Sequence, residues 1–483
     1  MDVTRADFIP IVPELFLLCA VCAILLIDLF ISEQRRGLVH FLSVASLVAT
    51  SVLIVRGWGD DGVATQSVFS GMFIRDNAGD MIKLSLCLVS AGIFFYAKPY
   101  LVDRGLFKGE YYTLALFAVL GMMILVSAGS LITVYLGLEL MALSGYAFIA
   151  MDRDNKRATE AAMKHFVLGA LASGVMLYGM SLVYGATGSL DLATIRELTT
   201  EDANRTLMLF GVVFMVAGIA FKFGAAPFHM WLPDVYQGSP TAMAVFICAT
   251  RDLAAFGMAY RLLEGAAGPL GDYWQPMMAW LAVFSLAVGN IIALMQTNLK
   301  RMIGYSTISH VGFLFLGISS GSAEGYAAAL FYGIAYALMS AAAFGAILLM
   351  ARKGFEAENI EDFKGLNQKN PWHAGLVLMI MGSLAGIPPF LGFWAKLAVL
   401  RAAVQADMLW LAIAAVVFAV IGAFYYIRVI KVMYFDAPAE GPDMQAEPAD
   451  VQLRWVLSGN ALLLLVLGLF WNPLMELCLR AFA

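Results

Sequence analysis

Charge is what this chain has least of: Asp, Glu, Lys and Arg make up only 13% of its 483 residues, against 61% hydrophobic residues. So little polar surface cannot cover a soluble chain of this length, and the composition reads as that of an integral membrane protein. Cysteine is also scarce. Of the five, Cys19 and Cys22 have the CxxC spacing but fall inside an apolar run with no second pair to complete a metal site, so they read as packing or lipid-facing residues. There is no phosphate-binding glycine loop after a strand, no cysteine cluster for iron–sulfur and no histidine pair for haem, which keeps redox chemistry and cofactors out of this chain. The net charge of −5 comes with no basic patch, so nothing points to nucleic acid.

What is present is a series of apolar runs. A helix needs roughly 20 such residues to cross the hydrocarbon core. Fourteen runs qualify, near residues 9–31, 38–56, 77–97, 111–128, 130–150, 162–185, 206–236, 240–263, 275–296, 302–319, 325–350, 373–402, 409–434 and 455–477. The first lacks a basic leader and a small-residue cleavage motif after Phe30, so it reads as a membrane helix rather than a signal peptide. The expected fold is all-α, a single membrane domain over 1–483, because no connection is long enough for a soluble domain. The segment 436–450 (DAPAEGPDMQAEPAD) reads as a surface loop.

Basic residues favour the cytoplasmic side of short loops. Arg35 and Arg36, Lys98 to Lys108, Arg153 to Arg157, Lys300 and Arg301, Arg352 to Lys369, and Arg428 to Arg454 all fall in alternate connections, while GDDG (59–62) and TTEDAN (199–204) mark the other side. Both termini are therefore expected outside the cytoplasm.

A charge at bilayer depth costs at least ~2.5–3.5 kcal/mol and persists where it is paired, hydrated or used. Glu139 lies mid-run in the fifth span, Lys164 opens the sixth, and Lys222 lies deep in the seventh; Arg251, Asp252 and Lys396 complete the list, with His165, His229 and His310 as titratable company. Lys83 and Asp28, nearer helix ends, are expected to snorkel to an interface and to cap a helix, respectively.

Two spans carry breakers. In KFGAAPFHMWLPDVYQGSP (222–240), Pro227 lacks an N–H and clashes with the carbonyl of Phe223, and unwound backbone at membrane depth is tolerated only beside protein or water. The break therefore points to a hydrated cavity beside Lys222. GSLAGIPPFLGFWAKLAVL (382–400) repeats the pattern with Pro388 and Pro389 ahead of Lys396; both breaks read Pro-Phe followed by Trp. The breaks are five spans apart, and an odd offset is the sign of an inverted repeat, spans 4–8 (111–263) against 9–13 (275–435), with 1–110 before and 455–483 after. Lysine suits proton handling because burial disfavours its charged form. If Glu139 approaches Lys222, the lysine holds its proton; if Glu139 pairs elsewhere, it lets go.

In this order, YLGLELMALSGYAF, ATEAAMKHFVLGALASG, FKFGAAPFHMWLPDVYQGSPTA, NLKRMIGYSTISHVGF and GIPPFLGFWAKL make the chain resemble the antiporter-like subunits of respiratory complex I, the bacterial proton-pumping NADH:quinone oxidoreductase. The resemblance is close over roughly 70–435 and extends to both ends as fourteen helices. It implies proton translocation through Glu139, Lys164, Lys222 on broken helix 7 and Lys396 on broken helix 12, with His310 in the same hydrated line. It also implies an inner-membrane location with periplasmic termini, neighbouring subunits of the M, K and J types, and surrounding lipid. NADH, quinone, FMN and iron–sulfur clusters would belong to partner subunits. One position departs from the pattern: where similar chains carry a lysine in helix 8, this one reads ICATRDLAAFG. Residues at i and i+1 do not face each other on a helix. Asp252 as a relay, Arg251 as a fixed charge, and a bypass through water and His310 all stay open. Two other readings are a subunit of a multi-subunit sodium/proton antiporter and a non-pumping spacer. Glu139 has no acidic neighbour in its span, which favours protons over sodium.

Overall fold

The computed structural model describes residues 5–58, 63–199, 204–438 and 450–483. The acidic segments expected on the outer side at 59–62 and 200–203, and most of the loop at 436–450, lie outside them. The chain is almost wholly helical: α1 (Val12–Phe30), α2 (Gly37–Arg56), α3 (Asn77–Asp103), α4 (Gly109–Val126), α5 (Leu131–Ile149), α6 (Lys156–Thr187), α7 (Leu192–Leu198), α8 (Arg205–Phe223), α9 (Trp231–Gly238) and α10 (Thr241–Ala259). There follow α11 (Gly271–Leu294), α12 (Leu299–Ser319), α13 (Ala323–Met350), α14 (Leu366–Lys369), α15 (Pro371–Ala385), α16 (Leu391–Gln405), α17 (Leu409–Phe435), α18 (Val451–Leu469) and α19 (Asn472–Ala481). One short hairpin, β1 (Gln66–Val68) with β2 (Phe73–Arg75), precedes α3.

Among the described residues, thirteen helices are long and apolar enough to cross a membrane. The run at 373–402 is not one of them, because it is two helices, α15 and α16, meeting at a break. The last run also differs from expectation: α18 stops at Leu469, and Pro473 opens a separate helix, α19. α10 continues past Ala259 as a π-helical turn over Tyr260–Ala266. Polar caps set many of the starts, since the first N–H groups of a helix have no partner within it. Asp76, Ser130, Asn155, Asn298 and Ser322 each accept from a backbone N–H in the first turn of α3, α5, α6, α12 and α13.

Every residue of α10 is buried, and α12 and α13 are nearly so. These three form the centre of the bundle, while α1, α17 and α18 turn rows of Leu, Ile, Val and Phe outwards, as a lipid-facing surface requires. In the set of helices before α11, α4 packs on α5 and α10, and α6 on α8 and α9; in the set that follows, α11 packs on α12 and α17, and α13 on α15 and α16. α10 against α13 and α9 against α12 join the sets.

Lys83 departs from expectation. It does not snorkel: it is fully buried, and its ammonium lies 2.7 Å from Glu14 of α1 and 3.6 Å from Asp80. A carboxylate on a neighbouring helix offers a nearer partner than the interface. Asp28 packs its carboxylate against Gly109, the first residue of α4, where a helix N-terminus favours negative charge.

Candidate functional site

Both helix breaks are built the same way. α8 ends where Gly224 turns left-handed (φ +69°) and α15 where Gly386 does (φ +84°). In each, the N–H of the next residue reaches back five positions, Ala225 to Ala220 O at 2.8 Å and Ile387 to Gly382 O at 2.9 Å, which is a glycine C-cap of the Schellman type. Three residues beyond each glycine stands a cis proline, Pro227 or Pro389. The helix has thus already ended at Phe223 when Pro227 arrives; the glycine stops it, and the prolines forbid its continuation. Pro227, Pro388 and Pro389 themselves are exposed at the surface of the chain.

A helix end inside a membrane leaves carbonyls that only other protein groups can satisfy. The two breaks solve this differently. At the first, the Trp231 indole donates to Phe221 O (3.2 Å) and the Arg251 guanidinium to Phe223 O (3.2 Å). At the second, Lys396 folds back and donates to Leu384 O (3.0 Å) and Ala385 O (2.9 Å).

Lys222 is left free of capping duty. It is 6% exposed, and its ammonium donates to Ser173 Oγ of α6 at 3.2 Å. Among the described residues no carboxylate lies within 4.0 Å of it. Glu139 is the acid whose charge acts on it, and Glu139 Oε1 is buried with no hydrogen-bond partner of its own. Beside Lys222 is a cavity of about 50 Å³, walled also by Tyr146, His165, Trp231 and Arg251 and otherwise by apolar side chains. That is room for water beside several polar partners. His165 stacks flat on Trp231 (4.4 Å between ring centres), and the Arg251 guanidinium lies 5.0 Å from the Trp231 ring centre.

Lys164 and His229 lie apart from this buried group. α6 begins at Lys156, six residues before the expected start of the run, which leaves Lys164 close to one end of the bundle. Its side chain is 44% exposed and ion-paired with Glu160 (2.9 Å) and with Asp234 of α9 (2.9 Å), whose other oxygen holds Arg301 at 2.7 Å. His229 sits in the loop between α8 and α9, between exposed Phe228 and Met230.

Arg251 and Asp252 correct an expectation. Although consecutive on α10, they pair: Arg251 Nε and Nη2 both donate to Asp252 Oδ1, at 2.9 and 2.6 Å. Consecutive Cβ atoms do point apart, but the arginine chain is long enough to turn its head back onto its neighbour while also reaching Phe223 O. Arg251 is therefore a fixed charge bound to the first break, and one carboxylate oxygen of Asp252 is committed to it.

Beyond this pair the interior is lined with hydroxyls. Cys248 Sγ, one turn before Asp252, lies 3.6 Å from the Tyr336 hydroxyl, which hydrogen-bonds with Thr307 Oγ1 at 2.6 Å. The Tyr336 ring stacks on His310 at 4.6 Å. His310 hydrogen-bonds with Tyr332 through Nδ1 (2.6 Å) and with Tyr426 through Nε2 (3.0 Å). The Tyr426 hydroxyl in turn hydrogen-bonds with Ser306. Lys396 lies 5.2 Å over the Phe313 ring, one helical turn from His310, and is the charge that acts on the histidine. Sequence reasoning selected the charged residues and His310 and missed Ser173, Asp234, Tyr332, Tyr336 and Tyr426. The legible signal was a tyrosine pair at i, i+4 in the apolar helix ALFYGIAYALMS.

Comparison with known proteins identifies the family and the fold. Residues 128–422 match the family described as NADH:quinone oxidoreductase/Mrp antiporter, transmembrane. NADH-quinone oxidoreductase subunit N of Xanthomonas euvesicatoria is 58% identical, the match covering 99% of this chain and 97% of that one. The protein of the same name from Thioalkalivibrio sulfidiphilus is 51% identical, covering 98% of each. Among solved structures, a chain of respiratory complex I from Thermus thermophilus with bound aureothin superposes with a TM-score of 0.81 at 30% identity, covering 96% of this chain and 98% of that one. A chain of the Mrp complex from a Dietzia species has the same fold, with a TM-score of 0.86 at 21% identity and coverage of 100% and 97%. The chain belongs to the NADH:quinone oxidoreductase/Mrp antiporter family of membrane proteins.

Proposed function

We propose that this chain is an antiporter-like, proton-translocating membrane subunit of a NADH:quinone oxidoreductase, coupling electron transfer in partner subunits to proton movement through its own interior. The observation that carries the reading is Lys222: a buried amine on a broken helix, beside a cavity, held by a hydroxyl rather than a carboxylate. A lysine so placed gains little from staying charged and can exchange its proton with water in the cavity. Glu139, two spans earlier in the chain and lacking a hydrogen-bond partner at Oε1, supplies a charge whose approach would hold the proton on Lys222 and whose departure would release it. Lys396 plays the second amine. Lys164, ion-paired with Asp234, takes part from the end of the bundle and not from its centre.

In this reading FMN, iron–sulfur clusters, NADH and quinone belong to partner subunits. The neighbours are other membrane subunits, of the M, K and J types. The chain lies in the bacterial inner membrane with both termini periplasmic, and 111–263 and 275–435 are inverted repeats within one domain. The test is proton uptake into sealed vesicles driven by NADH oxidation, with Lys222→Ala and Glu139→Gln compared with the parent complex at equal assembly. Loss of uptake with a coupled fall in electron transfer is the expected result. Unchanged uptake per electron in both variants would make the chain a spacer in the membrane arm. A requirement for sodium would favour the multi-subunit antiporter, whose fold this chain shares.

A further inference from the structure

The two lysines of the proposed pathway stand on α8 and α16, and the pair on α10 beside Lys222 is closed, Arg251 onto Asp252 and Phe223 O. A pathway needs groups that can both accept and give a proton, and arginine does not give one. The groups that can are concentrated at one place, around His310. Its ring is buried, as are the two phenols that flank it, each 1% exposed. Those phenols come from two different helices, Tyr332 from α13 and Tyr426 from α17, and reach opposite nitrogens of one imidazole on α12. A histidine kept only for packing needs a partner for one N–H at most; here both nitrogens meet a hydroxyl that can donate or accept. The line continues beyond Tyr426 to Ser306, towards the end of the bundle that carries Lys300 and Arg301. In the other direction Tyr332 stacks with Phe313 (5.9 Å), the ring over which Lys396 sits.

We propose that Tyr332, His310 and Tyr426 form a serial proton relay that delivers to Lys396, so that the two tyrosine hydroxyls carry the transferred proton and do not merely hold the histidine. This rests on the proton-translocating reading above. The step balances as follows. Tyr426 gives its hydroxyl proton to His310 Nε2, and Ser306 refills Tyr426, itself refilled from water. His310 Nδ1 gives its proton to the Tyr332 oxygen, and the proton Tyr332 carried passes to a water beside the Phe313 ring, which gives one of its own to the neutral amine of Lys396. One proton enters, one leaves, no charge stays on the relay, and the imidazole ends in the other tautomer. Return transfer or a ring turn resets it.

The relay is tested in the assembled complex with Tyr332→Phe, Tyr426→Phe and the double variant, each of which keeps the ring and removes only the oxygen. NADH-driven proton uptake and the coupled rate are measured beside Lys222→Ala, at equal incorporation of the chain. Groups in series predict that each single variant falls about tenfold or more and that the double variant falls no further than the worse single. The solvent deuterium isotope effect on the coupled rate is expected to rise in each. Parental uptake in the double variant overturns the relay, and so do losses that simply multiply, which would assign the hydroxyls to packing. If the tyrosine variants pump normally while Lys222→Ala does not, the relay alone falls; if Lys222→Ala pumps normally as well, the proton-translocating reading falls with it.

Discussion

The ammonium of Lys396 lies 2.9 Å from the carbonyl oxygen of Ala385, so a residue in the second turn of one half-helix caps the end of the half-helix before it. Lys222, at the equivalent break, stands before the glycine, and its capping work is done by Arg251 and Trp231. The two lysines are therefore different in kind: one is free of the backbone, the other bound to it.

That difference separates structure from chemistry at Lys396. Lys396→Met leaves the Leu384 and Ala385 carbonyls without a donor, a loss of about 1–3 kcal/mol, and both the thermal midpoint of the purified complex and its proton uptake should fall. Lys396→Arg restores donors for the two carbonyls but holds its proton permanently. The midpoint should recover and the uptake should not. Recovery of both would reduce Lys396 to a cap.

Glu14 and Lys83 form a pair buried between α1 and α3, with Asp80 and Arg75 (2.9 Å apart) beside them. Removing Glu14 leaves Lys83 only the more distant Asp80, which Arg75 already holds: Glu14→Ala should destabilise the packing of α1 by up to about 3–5 kcal/mol, read as loss of the chain from the assembled complex or as new protease sensitivity ahead of α2. Glu14→Gln with Lys83→Met removes both charges and should recover much of the loss. Failure of the double variant to recover would show that the pair contributes more than neutralisation.

Asp76, outside the spans, N-caps α3 and holds Arg261 through both oxygens, at 2.6 and 2.8 Å. Burial works to raise its carboxyl, and the Arg261 guanidinium outweighs burial and holds it below the usual range. A carboxyl depressed on folding contributes stability that is present above its unfolded value, about 3.9, and is lost as pH falls through the folded value. Asp76→Asn should therefore lower the thermal midpoint in detergent at neutral pH and flatten its fall on acidification. An unchanged acid limb would assign that limb to other carboxylates.

Much of the architecture was legible without coordinates. Apolar runs of membrane length placed α1 to α6 and α10 to α13 to within several residues, the run at 206–236 proved to be α8 and α9 on either side of a break, and the Gly-Pro signals at 224–227 and 386–389 located both breaks. The charged residues also stood out, because lipid rejects them and the list is short. Lys83 was misread because whether a lysine snorkels or pairs depends on which carboxylate a neighbouring helix presents, here Glu14; the pairing of Lys164 with Asp234 was hidden from the sequence for the same reason.

The sequence by itself determined that this is a multi-spanning helical membrane protein with two interrupted spans and a few buried ionisable groups, because hydrophobicity, helix breaking and the cost of charge are properties of short segments. Only the tertiary structure decided that Arg251 closes onto Asp252, that Lys222 meets a serine and not Glu139, and that tyrosines of α13 and α17 converge on His310 of α12. Those contacts join residues as much as 116 positions apart, and no local pattern records which helix faces a given residue; packing three crowded helices at the centre of the bundle does.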